Sequence, residues 1–98
     1  MTCVTVTYAC KEDGRFDWDY YVNKHVPLVN QLLRTQLTVR KGIVALDGSP
    51  PAAVCVASIP VNSLEEFQAM MAEHGEAIMG DVPNYTNITP TGQVDEIL

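Results

Sequence analysis

The amino-acid sequence predicts an α+β fold with the element order β-α-β-β-α-β, and three observations carry that expectation. Runs rich in β-branched and apolar residues stand at 2–9, 36–46, 52–59 and 93–98. Two longer stretches, 17–34 and 64–79, repeat apolar residues at helical spacing, and each follows or opens on a side chain suited to cap a helix. Segments rich in Gly, Pro and Asp separate these runs.

"TCVTVTYA" at 2–9 alternates apolar and hydroxyl residues and reads as the first strand. "CKEDGRF" is a turn-rich loop, after which Asp17 caps a helix running to about Arg34. Trp18, Tyr21, Val22, His25, Leu28, Val29, Leu32 and Leu33 fall on one side of it, opposite Asp19, Asn23, Asn30, Gln31 and Arg34. Tyr20 points roughly away from the apolar side, as a surface or interface ring. Pro27 cannot donate to the Asn23 carbonyl and crowds the preceding turn, so a bend between Asn23 and Val26 is expected. "QLTVRKGIVAL" (36–46) reads as the second strand with a bulge at Gly42, "DGSPP" as a turn, and "AAVCVASI" (52–59) as the third strand. Ser63 followed by Glu66 is a capping-box signature that opens the second helix, with Leu64, Phe67, Met71, His74, Gly75 and Ile78 on its inner side. "GDVPNYTNITPTG" is a loop, and "QVDEIL" is a short closing strand. The order is ferredoxin-like: a four-stranded antiparallel sheet with both helices on one side, expected to form a single domain over 1–98.

The third strand is apolar at both parities, with Val54 and Val56 on one face and Cys55, Ala57 and Ile59 on the other. A half-solvated strand alternates apolar and polar residues, so a second subunit packed sheet to sheet is expected, giving a homodimer.

An apolar fraction of 47% with 18% charged residues marks an ordinary globular chain rather than a disordered one. Twelve acidic against six basic residues leave a net charge of −6, a surface that repels nucleic-acid backbones and anionic membranes; neither partner is expected. No run approaches the ~18 apolar residues of a membrane span, and no basic leader precedes an apolar stretch, so a cytosolic protein is expected. Cys3, Cys10 and Cys55 lack CxxC spacing and read as buried or half-buried reduced thiols. The glycosylation patterns at Asn84 and Asn87 read as chance matches in a chain without a secretion signal. No Gly-rich phosphate loop or nucleophile elbow occurs, so neither a nucleotide cofactor nor a Ser-His-Asp triad is expected. HxxxH and HExxH spacings are absent too, which disfavours a metal set drawn from His25, His74 and Asp81.

Two segments resemble the EthD-like family of the dimeric α/β-barrel superfamily: "FDWDYYVNKHVPLV" on the first helix and "DVPNYTNITPTGQVDEI" leading into the last strand. Chain length and element order match as well. The resemblance implies a homodimer whose two sheets form a barrel, with a ligand cavity between helices and sheet in each subunit. Relatives include cofactor-free monooxygenases, aromatic polyketide cyclases, isomerases and haem enzymes, so reaction type does not follow from the fold.

His25 is the residue on which function turns. One reading is a neutral core imidazole bonded at both nitrogens. The other is a general acid/base lining a cleft, for which an unperturbed value of ~6.5 suits it. Trp18 and Tyr21 flank it as core rings or as a stacking surface for an apolar ligand. Asp81, Asn84 and Tyr85 stand at the mouth where the second helix ends; Asp81 either orients His25 or, like Asn84, bonds its own turn. His74 is placed to converge with His25 across the cleft. Two functions compete. One is an enzyme needing no nucleotide cofactor, oxidoreductase-like or lyase/isomerase-like, with His25 removing a proton beside a carbonyl or phenol of an aromatic or polyketide-like hydrophobic small molecule. The other is a non-catalytic metabolite-binding accessory dimer of a degradative or biosynthetic pathway. No cofactor is expected, haem standing as an analogy that a Soret band would expose.

Overall fold

The computed structural model describes residues 1–98 and has the order β1 (Thr2–Ala9), helix α1 (residues 18–33), β2 (Thr38–Lys41), β3 (Ala53–Pro60), helix α2 (Leu64–Asp81) and β4 (Thr91–Glu96). The four strands form one antiparallel sheet in the order β2-β3-β1-β4. This is the ferredoxin-like α+β arrangement that the sequence predicts. No helix is long and apolar enough to cross a membrane.

Register decides what the helices meet. Val4 lies opposite Ile59 and Val94, Val6 opposite Ala57 and Gly92, and Tyr8 opposite Cys55. Strand period two puts these on the helix side. Thr5 with Ser58, and Thr7 with Val56, occupy the other face. The core divides into an aromatic half around Tyr8, Tyr21, Cys55 and Tyr85, and an aliphatic half around Val4, Val29, Leu33, Ile59 and Ile78.

Helix α1 starts where the Asp17 carboxylate accepts the Tyr20 backbone N–H at 3.1 Å. It is α-helical over Trp18–Tyr20, π-helical over Tyr21–His25 and α-helical again over Val26–Leu33. The bend expected ahead of Pro27 is therefore a π-turn, in which the Val26 N–H reaches the Tyr21 carbonyl. Wider winding just before the proline accommodates the missing donor and its ring without ending the helix. Inserting it also rotates the two halves of the helix against each other. Val22, expected on the inner side, is exposed, while Tyr21, His25, Val29 and Leu33 are buried.

β2 is shorter than the predicted 36–46. A Cβ on Gly42 would stand 1.9 Å from the Ala53 carbonyl oxygen, so the chain passes too close to β3 there for any side chain. Beyond it Ile43, Val44 and Leu46 are exposed rather than paired. β4 starts earlier than expected, taking in Thr91 and Gly92. α2 begins as predicted, with the Ser63 hydroxyl accepting the Glu66 N–H at 3.1 Å, and runs on to Asp81. Leu64, expected on its inner side, is exposed. Cys3 and Cys55 are buried, whereas Cys10 is exposed, contrary to its expected burial.

Candidate functional site

The last turn of α2 runs straight into a 3₁₀ turn, Val82–Asn84, and so sets Asp81, Asn84 and Tyr85 on successive turns facing the π-segment of α1. Nδ1 of His25 donates to Oδ2 of Asp81 at 2.9 Å. The other carboxylate oxygen accepts the Tyr20 hydroxyl at 2.6 Å and the Asn84 side-chain amide at 2.9 Å. Burial acts to raise the Asp81 carboxyl, but the hydrogen bonds from Tyr20, Asn84 and His25 outweigh it and hold the group below its ordinary value. The Tyr20 phenol is raised, chiefly because its proton is bound to that carboxylate.

His25 is sandwiched. Tyr21 stacks on it at 5.6 Å between ring centroids and 21° between planes, and Tyr85 leans against it at 4.6 Å. Burial lowers the imidazole below its ordinary 6.5, with the Asp81 hydrogen bond and charge opposing. Behind His25 the Tyr8 and Tyr85 hydroxyls share a 2.6 Å hydrogen bond. Burial pushes Tyr8 up to about 12, and raises Tyr21 and Tyr85 as well, so all three phenols stay protonated. Cys55 is pushed up to about 11, again by burial, and remains a thiol at neutral pH.

A cavity of about 90 Å³ lies between the helices and the sheet, with His25 in a wall otherwise made by apolar side chains and the rings of Tyr8 and Tyr21. Every fully buried side-chain nitrogen or oxygen has a hydrogen-bond partner. Nε2 of His25 makes none, so of the two ring nitrogens it is the one that is not fully buried. With Nδ1–H given to the carboxylate, the tautomer leaves a free lone pair on Nε2.

The structure thus brings His25, Asp81, Asn84, Tyr21 and Tyr85 together, but Asn84 and Tyr85 stand behind the imidazole and do not line the cavity. Tyr85 is fully buried rather than at a mouth. Trp18 is no cavity wall either: it packs on Phe16 at 4.6 Å with the Lys41 ammonium 5.4 Å from its ring. His74 does not converge with His25; it sits beside Glu73 at 3.7 Å, away from the cavity. No group of three or more His, Cys, Asp or Glu side chains is placed to hold a metal ion. Tyr20, expected at the surface, is the site residue that helical spacing missed. In α-helical winding it and His25 diverge; the i→i+5 bonding of the π-turn brings residues five apart onto one side. Pro27 is the signal that pointed to that turn.

Comparison with known proteins agrees with this architecture. A Ralstonia eutropha EthD-like protein of known crystal structure superposes with a TM-score of 0.89 and 39% identity, over 97% of this chain and 89% of that one. An ethyl tert-butyl ether D (EthD) family protein from Bacillus halodurans shares the fold at a TM-score of 0.70 and 17% identity, over 100% and 99% of the two chains. An 11.0 kDa Rhodococcus erythropolis protein from the thcB-thcC intergenic region is 32% identical over 88 residues, 89% of this chain and 85% of its own. Residues 12–89 match the sequence profile of the EthD domain, and they contain the whole His25–Asp81 cluster, so the chain belongs to the EthD family.

Proposed function

We propose that the protein is a small-molecule enzyme in which His25 is the general base, taking a proton beside a carbonyl of an apolar substrate and returning it from the same nitrogen. The observation that supports this most is a single geometry: Nδ1 is fixed on Asp81, while Nε2 has no protein partner and the His25 ring lines a cavity of apolar side chains. Asp81 acts on the imidazole alone, as a positioning residue, and Tyr20 and Asn84 hold Asp81 in turn. Proton abstraction, not redox chemistry of the protein, is what these groups supply.

The test is deuterium incorporation into the α-positions of 2-octanone in D₂O, followed by proton NMR. Wild type is expected to exceed His25→Ala by about 10²-fold, the usual contribution of a positioned base. Equal exchange with intact binding would instead make His25 an anchor and the protein a carrier.

A homodimer is part of this proposal. Val56 is half-buried on the sheet face away from the helices, beside Thr5 and Thr7, whereas Val54, at the irregularity in the β1–β3 register, packs on the aromatic half of the core. Sedimentation is expected to give twice the 10.8 kDa chain mass, and Val56→Asp to give the single chain. Three free thiols suit a reducing, cytosolic setting.

A further inference from the structure

The His25 cavity is too small to be a whole binding site. At about 90 Å³ it falls short of the ~150 Å³ of a protein cavity known to hold a benzene ring. It is not isolated, however. A second, more open apolar groove of about 300 Å³ runs between α2 and the β1–β4 edge of the sheet. The two share the side chains of Val4, Val6, Phe67, Met71, Met79 and Pro90, so one is the outward continuation of the other.

Gly92 keeps this passage open. It lies opposite Val6 on the helix side of the sheet, and at that position β4 carries no side chain, Val94 being the next β4 residue on that face. Neither backbone nor crowding demands glycine there. Gly92 is absent from the positive-φ residues, and an added Cβ would meet only the Thr5 carbonyl at 3.8 Å and Val6 Cγ2 at 4.0 Å, which are ordinary contacts. Glycine within a strand weakens it, and such a position often marks where something else comes close. Met71 and Met79 stand across from it on α2, and unbranched thioether chains adapt to an irregular guest.

We propose that the ligand is a slender carbonyl compound with one polar head and an unbranched apolar tail. The head sits at Nε2 of His25, and the tail leaves between α2 and β4, over Gly92 and past Met71 and Met79. This deepens the acid–base reading and rests on it for the choice of head group.

The experiment titrates 2-butanone, 2-hexanone and 2-octanone into wild type and Gly92→Leu, following the His25 imidazole and the methionine methyl resonances by NMR. Each added methylene is expected to tighten wild-type binding about three- to fourfold. Met71 and Met79 methyl signals should move with the longer ketones and not with 2-butanone. Gly92→Leu should keep the His25 titration and the 2-butanone affinity yet lose the gain with chain length. Affinity that is flat along the wild-type series overturns the tail groove whether or not the variant folds. So does a chain-length gain that leaves the His25 signal unmoved, since the tail and head would then occupy different sites. Binding with the expected length dependence but no α-deuterium exchange supports the groove and removes only the general-base role.

Discussion

Tyr85→Ala is expected to destabilise the fold by about 3–5 kcal/mol, a fall in melting temperature of more than ~10 °C. Tyr85 has 0% of its surface exposed and leans on Tyr8, Phe16, Tyr21 and His25. Truncation leaves a cavity at the centre of the aromatic half and strands the Tyr8 hydroxyl. Tyr85→Phe keeps the ring and removes only the 2.6 Å hydroxyl pair, so it is expected to cost about 1–2 kcal/mol. Chemical denaturation of the two variants separates ring packing from hydrogen bonding. Equal losses would show that the hydroxyl pair, not the ring, holds this half of the core.

Asp81→Asn is expected to change chemistry more than stability. Burial holds the His25 imidazole below 6.5 and the Asp81 hydrogen bond and charge pull it part-way back. Without that charge the folded value falls further. The sign for stability follows. A folded chain whose imidazole has a depressed value binds the proton less readily than the unfolded chain. The His25 contribution is therefore complete above 6.5 and is lost as pH falls through the folded value. In Asp81→Asn that loss extends to lower pH. Asp81 itself adds a second loss in wild type below 3.8, because its folded value is depressed, and the variant lacks it. Exchange at neutral pH is expected to drop on the order of a hundredfold, as the base weakens and its tautomer is no longer dictated. Denaturant midpoints from about pH 2 to pH 8, with exchange rates measured at neutral pH, check both parts.

Much of the fold was legible because local and global signals agree. β1 alternates in sequence, turn residues fall between elements, and Asp17 and Ser63 cap the two helices, so both helix starts have a side-chain cause. The second strand is shorter than its sequence suggests because apolar residues at Ile43, Val44 and Leu46 look like strand in any window. What stops the strand is the approach of the Ala53 carbonyl to Gly42, a contact between distant residues. In the site, His25 was visible as a polar residue on an apolar face, and Asp81 as a carboxylate in the facing segment. Tyr20 was not, because uniform helical winding places it away from His25, and only the π-turn ahead of Pro27 turns it inward. His74 failed in the opposite way: helical spacing put it on the inner edge of α2, but the face packed on α1 and the sheet is centred on Phe67, Met71 and Ile78.

Long-range ¹H–¹⁵N correlation of the His25 ring across pH 4–8 reads its tautomer and its charge in one experiment. The ring is expected to be neutral at pH 7 with the proton on Nδ1 and a bare Nε2, titrating below 6.5 and lower still in Asp81→Asn. A proton on Nε2 at neutral pH, or a ring that never titrates and does not respond to Asp81→Asn, would contradict it. His25 would then be a satisfied core histidine.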